Sequence, residues 1–458
     1  MSHFSDINRE VERGLQGKNN SVPMGFDRLN KYVSIKKRIY TLVFGATGCH
    51  SKGTQIMMFD GSTKNVEDVK VGDSLMGPDS RPRKVLSLIR GNQEIFLVKQ
   101  NKGDDFEVNK DHILHLRNLT KGVYSYKSIS VSDYIKTGKN FKHLWKGYKV
   151  ALEFEEKEIK IEPYFMGLWL GDGSSKKTEI NTADSEIVKY LGDFAERNGL
   201  ILNRHGKGKY NYNLVTKRGL KNSLLDKLRE EKVFGDKHIP NHYLRNSKQN
   251  RLALLAGILD SDGHYTGRGY EVTFKSEELA KSTAYLSRSL GFYSSINRKK
   301  AVMKRLGKED YKCDVFRVGI YGNDLSQIPC LIDRKRAKKS SRVSDSLSSG
   351  FILEEKGLGD YYGFNIDGDN LYLLGDFTVT HNSGKSAFVH EAYILNPFEW
   401  WYKYKDKTNI TLKIPLFSME RSKVYTLAKW ISRRIFFYHQ IVVPIPKMLG
   451  WWDTKMSK

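Results

Sequence analysis

The chain has 458 residues and a formal net charge of +25 at pH 7. That length leaves room for about three domains, and the charge suits a polyanionic partner, because lysine and arginine set against phosphates release counterions; a solvated basic surface is the other reading. Three cysteines (Cys49, Cys313, Cys330) without a CxxC pair argue against a disulfide framework, the N-terminus lacks the apolar run of a signal peptide, and no apolar stretch reaches the ~20 residues of a membrane helix, so a soluble, cytoplasmic protein with no membrane partner is expected.

Arg38–Phe44 is β-branched and aromatic and predicts a buried strand ending at Gly45. Gly45-Ala-Thr-Gly48 then reads as the first half of a phosphate-binding loop, but Cys49-His-Ser follows where Gly-Lys-Ser is expected. The missing half stands far downstream as Ser383-Gly384-Lys385-Ser386, leading into a helix-like pattern over 387–395. Removing 49–382 restores GxxxxGK[ST] between a strand and a helix, the context this motif requires. In such a loop Gly45, Gly48 and Gly384 let backbone N–H groups wrap phosphates, Lys385 reaches the terminal phosphates and Ser386 can hold Mg²⁺.

Within the interrupting segment, turns such as Asp60-Gly and Val71-Gly-Asp separate short strands. Two stretches resemble each other: Phe165-Met-Gly-Leu-Trp-Leu-Gly-Asp172-Gly173 and Leu255-Ala-Gly-Ile-Leu-Asp-Ser-Asp262-Gly263. Each predicts an apolar helix with small residues four apart (Gly167 and Gly171; Gly257 and Ser261), which lets two backbones pack closely. Each ends in an acid beside a glycine, so Asp172 and Asp262 are expected to emerge side by side at helix C-termini as a divalent-cation site for Mg²⁺. The plainer reading is two core helices with Asp-Gly caps. Glu271–Ser276 predicts a strand and Glu277–Gly291 a helix ending at glycine.

The segment begins with Cys49 and ends with His381-Asn382 before Ser383. Taken singly, Cys49 reads as a buried structural thiol and His-Asn as a surface turn; together they resemble the junctions of inteins. Val108-Asn-Lys-Asp-His112 is similar to the internal intein block, with Asn109 where threonine is common. Tyr361–Asp376 followed by Phe377-Thr-Val-Thr-His381-Asn382 resembles the C-terminal blocks, with Asn370 where histidine is common. The resemblance implies four roles. Cys49 converts the Gly48–Cys49 amide to a thioester with help from His112 and Asn109. Ser383 takes over the acyl group, Asn382 cyclises to release the insert, and His381 assists by proton transfer. No cofactor is implied for splicing.

The two repeated stretches match the LAGLIDADG signature of homing endonucleases, which implies saddle-shaped sheets along the major groove of double-stranded DNA and Mg²⁺-assisted phosphodiester cleavage at Asp172 and Asp262. Lys237 and Lys335 match the active-site lysines of two-motif intein endonucleases; a phosphate contact is the other role open to each. Ser21–Asn30 resembles the segment leading into the ATPase core of DnaB-type replicative helicases. Ile410–Phe417 alternates like a strand, and the following Ser418-Met-Glu420 resembles a RecA-like block whose glutamate positions hydrolytic water, although an exposed helix-start acid fits Glu420 as well.

The expected architecture is multi-domain: an all-β Hint splicing domain from 49–155 and 345–382, an α/β LAGLIDADG endonuclease domain inserted at 156–344, and host segments 1–48 and 383–458 forming an incomplete α/β P-loop, RecA-like domain. The host looks truncated, needs the rest of its ATPase core, is open to oligomerisation, and would bind ATP/Mg²⁺ only after splicing. The competing expectation is a decayed, non-splicing insert in a DNA-binding module or ATPase fragment. Retention of Cys49, His112, His381, Asn382, Ser383, Asp172 and Asp262 favours an active one.

Overall fold

The computed structural model describes residues 21–22, 35–36, 48–204, 210–303, 311–339, 345–382 and 396–404. Met1–Thr47 with Ser383–Lys458 forms one unit, and Gly48–Asn382 forms another. In the first unit Ser21–Val22 pairs antiparallel with Ile35–Lys36, and Asn396–Tyr404 is helical. The strands expected at 38–44 and 410–417, and the helix expected at 387–395, lie outside the described residues. No helix among the described residues is long and apolar enough to cross a membrane.

The splicing part of the second unit is built on two long strands. β1 is His50–Ser51, β2 Ser74–Met76, β3 Pro82–Gln100, β4 Phe106–Asn109, β5 Ile113–Thr120 and β6 Val123–Ser130. Much later come β14 (Phe351–Ile366), β15 (Leu371–Leu373) and β16 (Val379–His381). A five-stranded antiparallel sheet runs β14-β1-β4-β3-β2, and β14 also pairs directly with β3 from Phe351↔Gln100 to Ile366↔Val85. This ribbon carries the chain's last segment back onto its first. Three small apolar clusters fill the part: Ile56, Leu75, Phe364 and Tyr372 mark one, Leu373, Phe377 and Val379 a second, and Val98, Val108 and Leu116 a third. The expected all-β fold is relieved by two short helices, Val131–Ile135 and Lys139–Leu144.

The nuclease part has two similar halves. In the first, helix α1 (Pro163–Asp172) leads to β7 (Glu179–Asn181), α2 (Ser185–Arg197), β8 (Ile201–Arg204) and β9 (Asn211–Val215), with sheet order β7-β9-β8. In the second, α3 (Lys248–Asp262) leads to β10 (His264–Tyr265), β11 (Gly269–Phe274), α4 (Glu277–Ser289), β12 (Tyr293–Met303) and β13 (Tyr311–Tyr321), with order β10-β11-β13-β12. The strand and helix expected after the second repeat are β11 and α4. Gly291 ends the α4 turn at φ +86°, a left-handed conformation that glycine adopts without strain.

One apolar core, reaching from Ile161 to Ile332, surrounds the crossing of α1 and α3. Both helices are buried nearly all round, which places them at the centre of the domain. The glycines are what permit the crossing. A Cβ at Gly257 would stand 2.8 Å from Leu168 N, and one at Gly167 would stand 2.8 Å from Ile258 N. These neighbours are backbone and cannot rotate away.

The nuclease and splicing parts are stitched together where the chain enters the insertion. Arg251, fully buried in α3, donates to the carbonyls of Leu152 (2.7 Å), Ser289 (2.9 Å) and Asn246 (2.9 Å), and Leu152 N donates to Ser289 O at 2.9 Å. Because the α1–α3 crossing has no slack, Gly257→Ala is expected to destabilise the nuclease part by ~2–3 kcal/mol or more; an unchanged urea midpoint would show that the helices can separate freely.

Candidate functional site

The first centre lies where the two ends of the insert meet. Cys49 is fully buried. Its backbone N–H donates to Asn109 Oδ1 (2.9 Å), its carbonyl accepts from Asn109 N (3.1 Å), and Asn109 Nδ2 donates to Gln93 Oε1 (2.6 Å). Asn109 therefore clamps the residue after the first junction from both sides. The Cys49 thiol rests on Gly363 of β14, where a Cβ would stand 3.2 Å from Cys49 Cβ and closer still to the sulfur. Glycine there makes room for the thiol.

His112, two residues past the end of β4, is buried beside Gly48, and a Cβ on Gly48 would stand 3.4 Å from His112 Nδ1. Its Nε2 makes a 3.0 Å hydrogen bond with Thr380 Oγ1, a residue 268 positions away. The His112 Nδ1 has no completed hydrogen bond. Burial, with His50 and His381 nearby, holds His112 well below the ordinary histidine range, so it is neutral. His50 packs edge-on against it, ring centroids 4.7 Å apart, and burial pushes His50 down to about 3.

At the other end, β15 and β16 form a hairpin in register Leu371↔His381, Tyr372↔Thr380 and Leu373↔Val379. Asn382 N extends that ladder by donating to the carbonyl of Asn370 at 2.7 Å. The Asn382 side chain is buried, and neither its Oδ1 nor its Nδ2 has a hydrogen-bond partner. Such an orphaned amide is uncommon and asks for an explanation. His381 lies near His115, ring centroids 6.1 Å apart, and is lowered to about 4, first by burial and then by His115.

The turn of this hairpin is held by a buried ion pair. Asp376 bonds Lys149 Nζ, which also donates to Thr378 Oγ1 (2.6 Å), and Asp376 accepts from Asp104 N (3.0 Å) and Thr378 N (3.1 Å). Phe377, inside that turn, has φ +71°, in the left-handed region that bulky residues seldom occupy.

The second centre sits at the C-terminal ends of α1 and α3. Asp172 is raised to about 6, by burial first and by Asp262 second, while Lys335 and Lys237 oppose the shift. Burial also raises Asp262 against the same two lysines. Lys237 Nζ donates to the carbonyls of Leu170 (3.0 Å), Gly171 (3.0 Å) and Gly173 (2.6 Å) at the end of α1. Lys335 Nζ does the same for α3, at Leu259 (3.0 Å), Asp260 (2.7 Å) and Ser261 (2.9 Å). Each lysine thus neutralises the negative end of one helix dipole next to the carboxylate pair. Burial lowers both, Lys237 to about 8. Among the described residues no third His, Cys, Asp or Glu joins the two acids as a metal cluster.

Asp260, in the second repeat only, faces the other way. It accepts from Tyr164 Oη (2.6 Å) and Leu331 N (2.5 Å) and fastens the strap that carries Lys335.

The structure therefore brings Gly48, Cys49, Asn109, His112, His381 and Asn382 to one centre, and Asp172, Asp262, Lys237 and Lys335 to the other. Ser383, Gly45, Gly384, Lys385, Ser386 and Glu420 lie outside the described residues. Sequence reading missed His50, Thr380, Gly363 and His115. His50 stands beside the junction cysteine and Thr380 beside the junction histidine, so adjacency was the one signal available for those two.

Residues 49–162 match the family described as Hom_end-associated Hint, and residues 238–341 match the family Homing endonuclease. The chain is a Hint-domain intein with an inserted LAGLIDADG-type homing endonuclease domain, set in a helicase- or ATPase-like host. It is 34% identical over 151 residues, 33% of its length, to the replicative DNA helicase DnaB of Mycobacterium intracellulare. It is 23% identical over 481 residues, 74% of its length, to the catalytic subunit of the V-type proton ATPase from Candida tropicalis. The match spans 22% and 44% of those proteins' own lengths. A structure of mesophilic variants of the homing endonuclease I-DmoI aligns over 37% of this chain and 93% of its own, at 14% identity and a TM-score of 0.25.

The buried histidines set a pH dependence. As pH falls below the ordinary histidine value of about 6.5, the unfolded chain takes up protons that His50 and His381 refuse in the fold. Stability is therefore present above that value and is lost as pH falls toward about 4. NMR titration of the His381 imidazole is expected to show no protonation at pH 5.5; a midpoint near 6.5 would contradict this assignment.

Proposed function

We propose that the insert excises itself and joins its flanks, and that it also cuts double-stranded DNA at a site made by the uninterrupted host sequence. The observation that carries the first part is the closure of the two junctions around one histidine–threonine contact, His112 to Thr380.

The Cys49 thiol attacks the Gly48 carbonyl, the C–N bond breaks, and the proton passes to the freed Cys49 nitrogen. With Nε2 accepting from Thr380, the His112 proton sits on Nδ1, on the side of Gly48, where it can serve that nitrogen. Asn109 holds the same nitrogen in place. The Ser383 hydroxyl then takes the acyl group from sulfur. Asn382 Nδ2 attacks its own carbonyl, closing a succinimide and breaking the bond to Ser383, with His381 moving the proton. An O-to-N acyl shift leaves a Gly48–Ser383 peptide bond. The unpartnered Asn382 amide supports this role, since no hydrogen bond has to be broken before it attacks. The rejoined Gly-Ala-Thr-Gly-Ser-Gly-Lys-Ser would be a phosphate loop for ATP and Mg²⁺, with Lys385 as phosphate ligand and Glu420 as candidate base.

For the nuclease, Asp172 and Asp262 fit a hard divalent cation such as Mg²⁺. Two carboxylates that burial raises gain from a positive charge, and so few protein ligands leave its shell open to water and phosphate oxygens. When bound, such an ion supplies Lewis-acid stabilisation of a phosphodiester under attack. Lys237 and Lys335 lie beside the acids and offset the charge that builds on the phosphate.

Expression of the intact chain is expected to yield a joined-flank product and a free insert. Asn382→Ala should block release at the C-terminal junction while thiol still cleaves before Cys49, as read on a denaturing gel; unaltered splicing by this variant would sink the assignment. Asp262→Asn should lower Mg²⁺-dependent cutting of DNA carrying the uninterrupted host sequence by about 10² or more and leave splicing intact. Retained cutting would remove Asp262 from the site.

A further inference from the structure

The C-terminal junction leans on a residue that belongs to the nuclease. Tyr285, on α4, is the one side chain among the described residues that packs against both the nuclease core and the cluster of Leu373, Phe377 and Val379. Its ring meets that of Phe377 with centroids 5.2 Å apart at 57°, and its hydroxyl donates to Gly61 O at 3.1 Å. Phe377 is the left-handed residue of the β15–β16 turn, five positions before Asn382, and the strand that follows it carries Thr380, His381 and Asn382. One turn of α4 further on, Arg288 reaches Asp104 (3.3 Å), whose backbone N–H holds Asp376. Beside these contacts lies a cleft of about 530 Å³ between the two parts, lined by Gln55, Asp104, Tyr285, Arg288 and Phe377 among others. The parts meet here at few points, so a missing ring would not be replaced by its neighbours.

We infer that Tyr285 is a positioning residue for the reaction at Asn382: it keeps Phe377 in its left-handed turn and so fixes the strand on which His381 and Asn382 ride. The inference rests on the splicing reading above. It makes the nuclease domain a working part of the splice site. Cys49 is placed from elsewhere, by Asn109 and Gly363, and does not share this dependence.

The test uses the full chain and its Tyr285→Ala, Tyr285→Phe, Phe377→Ala and Tyr285→Ala/Phe377→Ala variants. Release at the C-terminal junction and thiol-induced cleavage before Cys49 are timed separately. Tyr285→Ala should slow C-terminal release roughly tenfold or more and leave cleavage before Cys49 much less affected. Tyr285→Phe, which keeps the ring, should restore release. Phe377→Ala should show the same split, and the double variant should be no slower than the worse single, as expected when two residues act through one contact. Thermal melting of each variant checks the fold; should Tyr285→Ala melt unlike the parent, Phe377→Ala decides, since its change lies in the splicing part. Parent-like release by Tyr285→Ala, equal slowing at both junctions, or independent multiplying effects would overturn the inference alone. A parent that reacts at neither junction overturns the splicing reading, and this inference with it.

Discussion

The contact between His112 and Thr380 joins the first reactive residue's surroundings to the last, and everything else in the splicing part serves to make it possible. A hydrogen bond is worth about 1 kcal/mol net, far too little to draw together two segments separated by a whole second domain. The work is done by the paired strands β3 and β14, whose long ladder returns the chain to its starting point. The β15–β16 hairpin then needs only to lie down beside the start of β5. In that position the histidines are buried and neutral, and the thiol, the two junction backbones and the Asn382 amide share one small volume.

The nuclease obeys a different constraint. Its two acids are neighbours because two helices cross with backbone against backbone, and that crossing exists because glycine occupies positions 167 and 257. Placing two negative helix ends and two carboxylates together is electrostatically costly. Lys237 and Lys335 relieve it by capping the carbonyls of one helix each, so the pair of lysines is as much a condition of the geometry as a candidate for chemistry. The halves are not copies in detail: one sheet has three strands and the other four, and Asp260 has Leu170 as its counterpart.

Much of this was legible in the sequence, for physical reasons that vary by site. Cys49, His381 and Asn382 could be found because chemistry demands those side chains at a peptide junction and because removing the segment restores a known loop. Asp172 and Asp262 could be found because close helix packing needs small residues at a fixed spacing. Asn109 was visible through its block, and its double clamp on Cys49 accounts for an amide there. Thr380 and His50 were not legible, because their roles depend on a fold-back between distant strands. Tyr285 was less so: nothing in α4 marks one aromatic as facing a turn in another domain. Gly363 was hidden for the opposite reason, since its function is the absence of a side chain next to a sulfur named hundreds of positions earlier.

The bare amide of Asn382 bears on how such an element persists. A buried polar group without a partner costs about 1–3 kcal/mol, so the folded precursor is less stable than a variant with an apolar residue of similar shape at that position. Folding energetics, left to themselves, favour losing the asparagine. Retention must then come from outside the insert, from a flanking sequence that is useless in two pieces. The split phosphate loop supplies that pressure: a host whose lysine and glycines stand on opposite sides of the insert cannot tolerate the more stable, inert version.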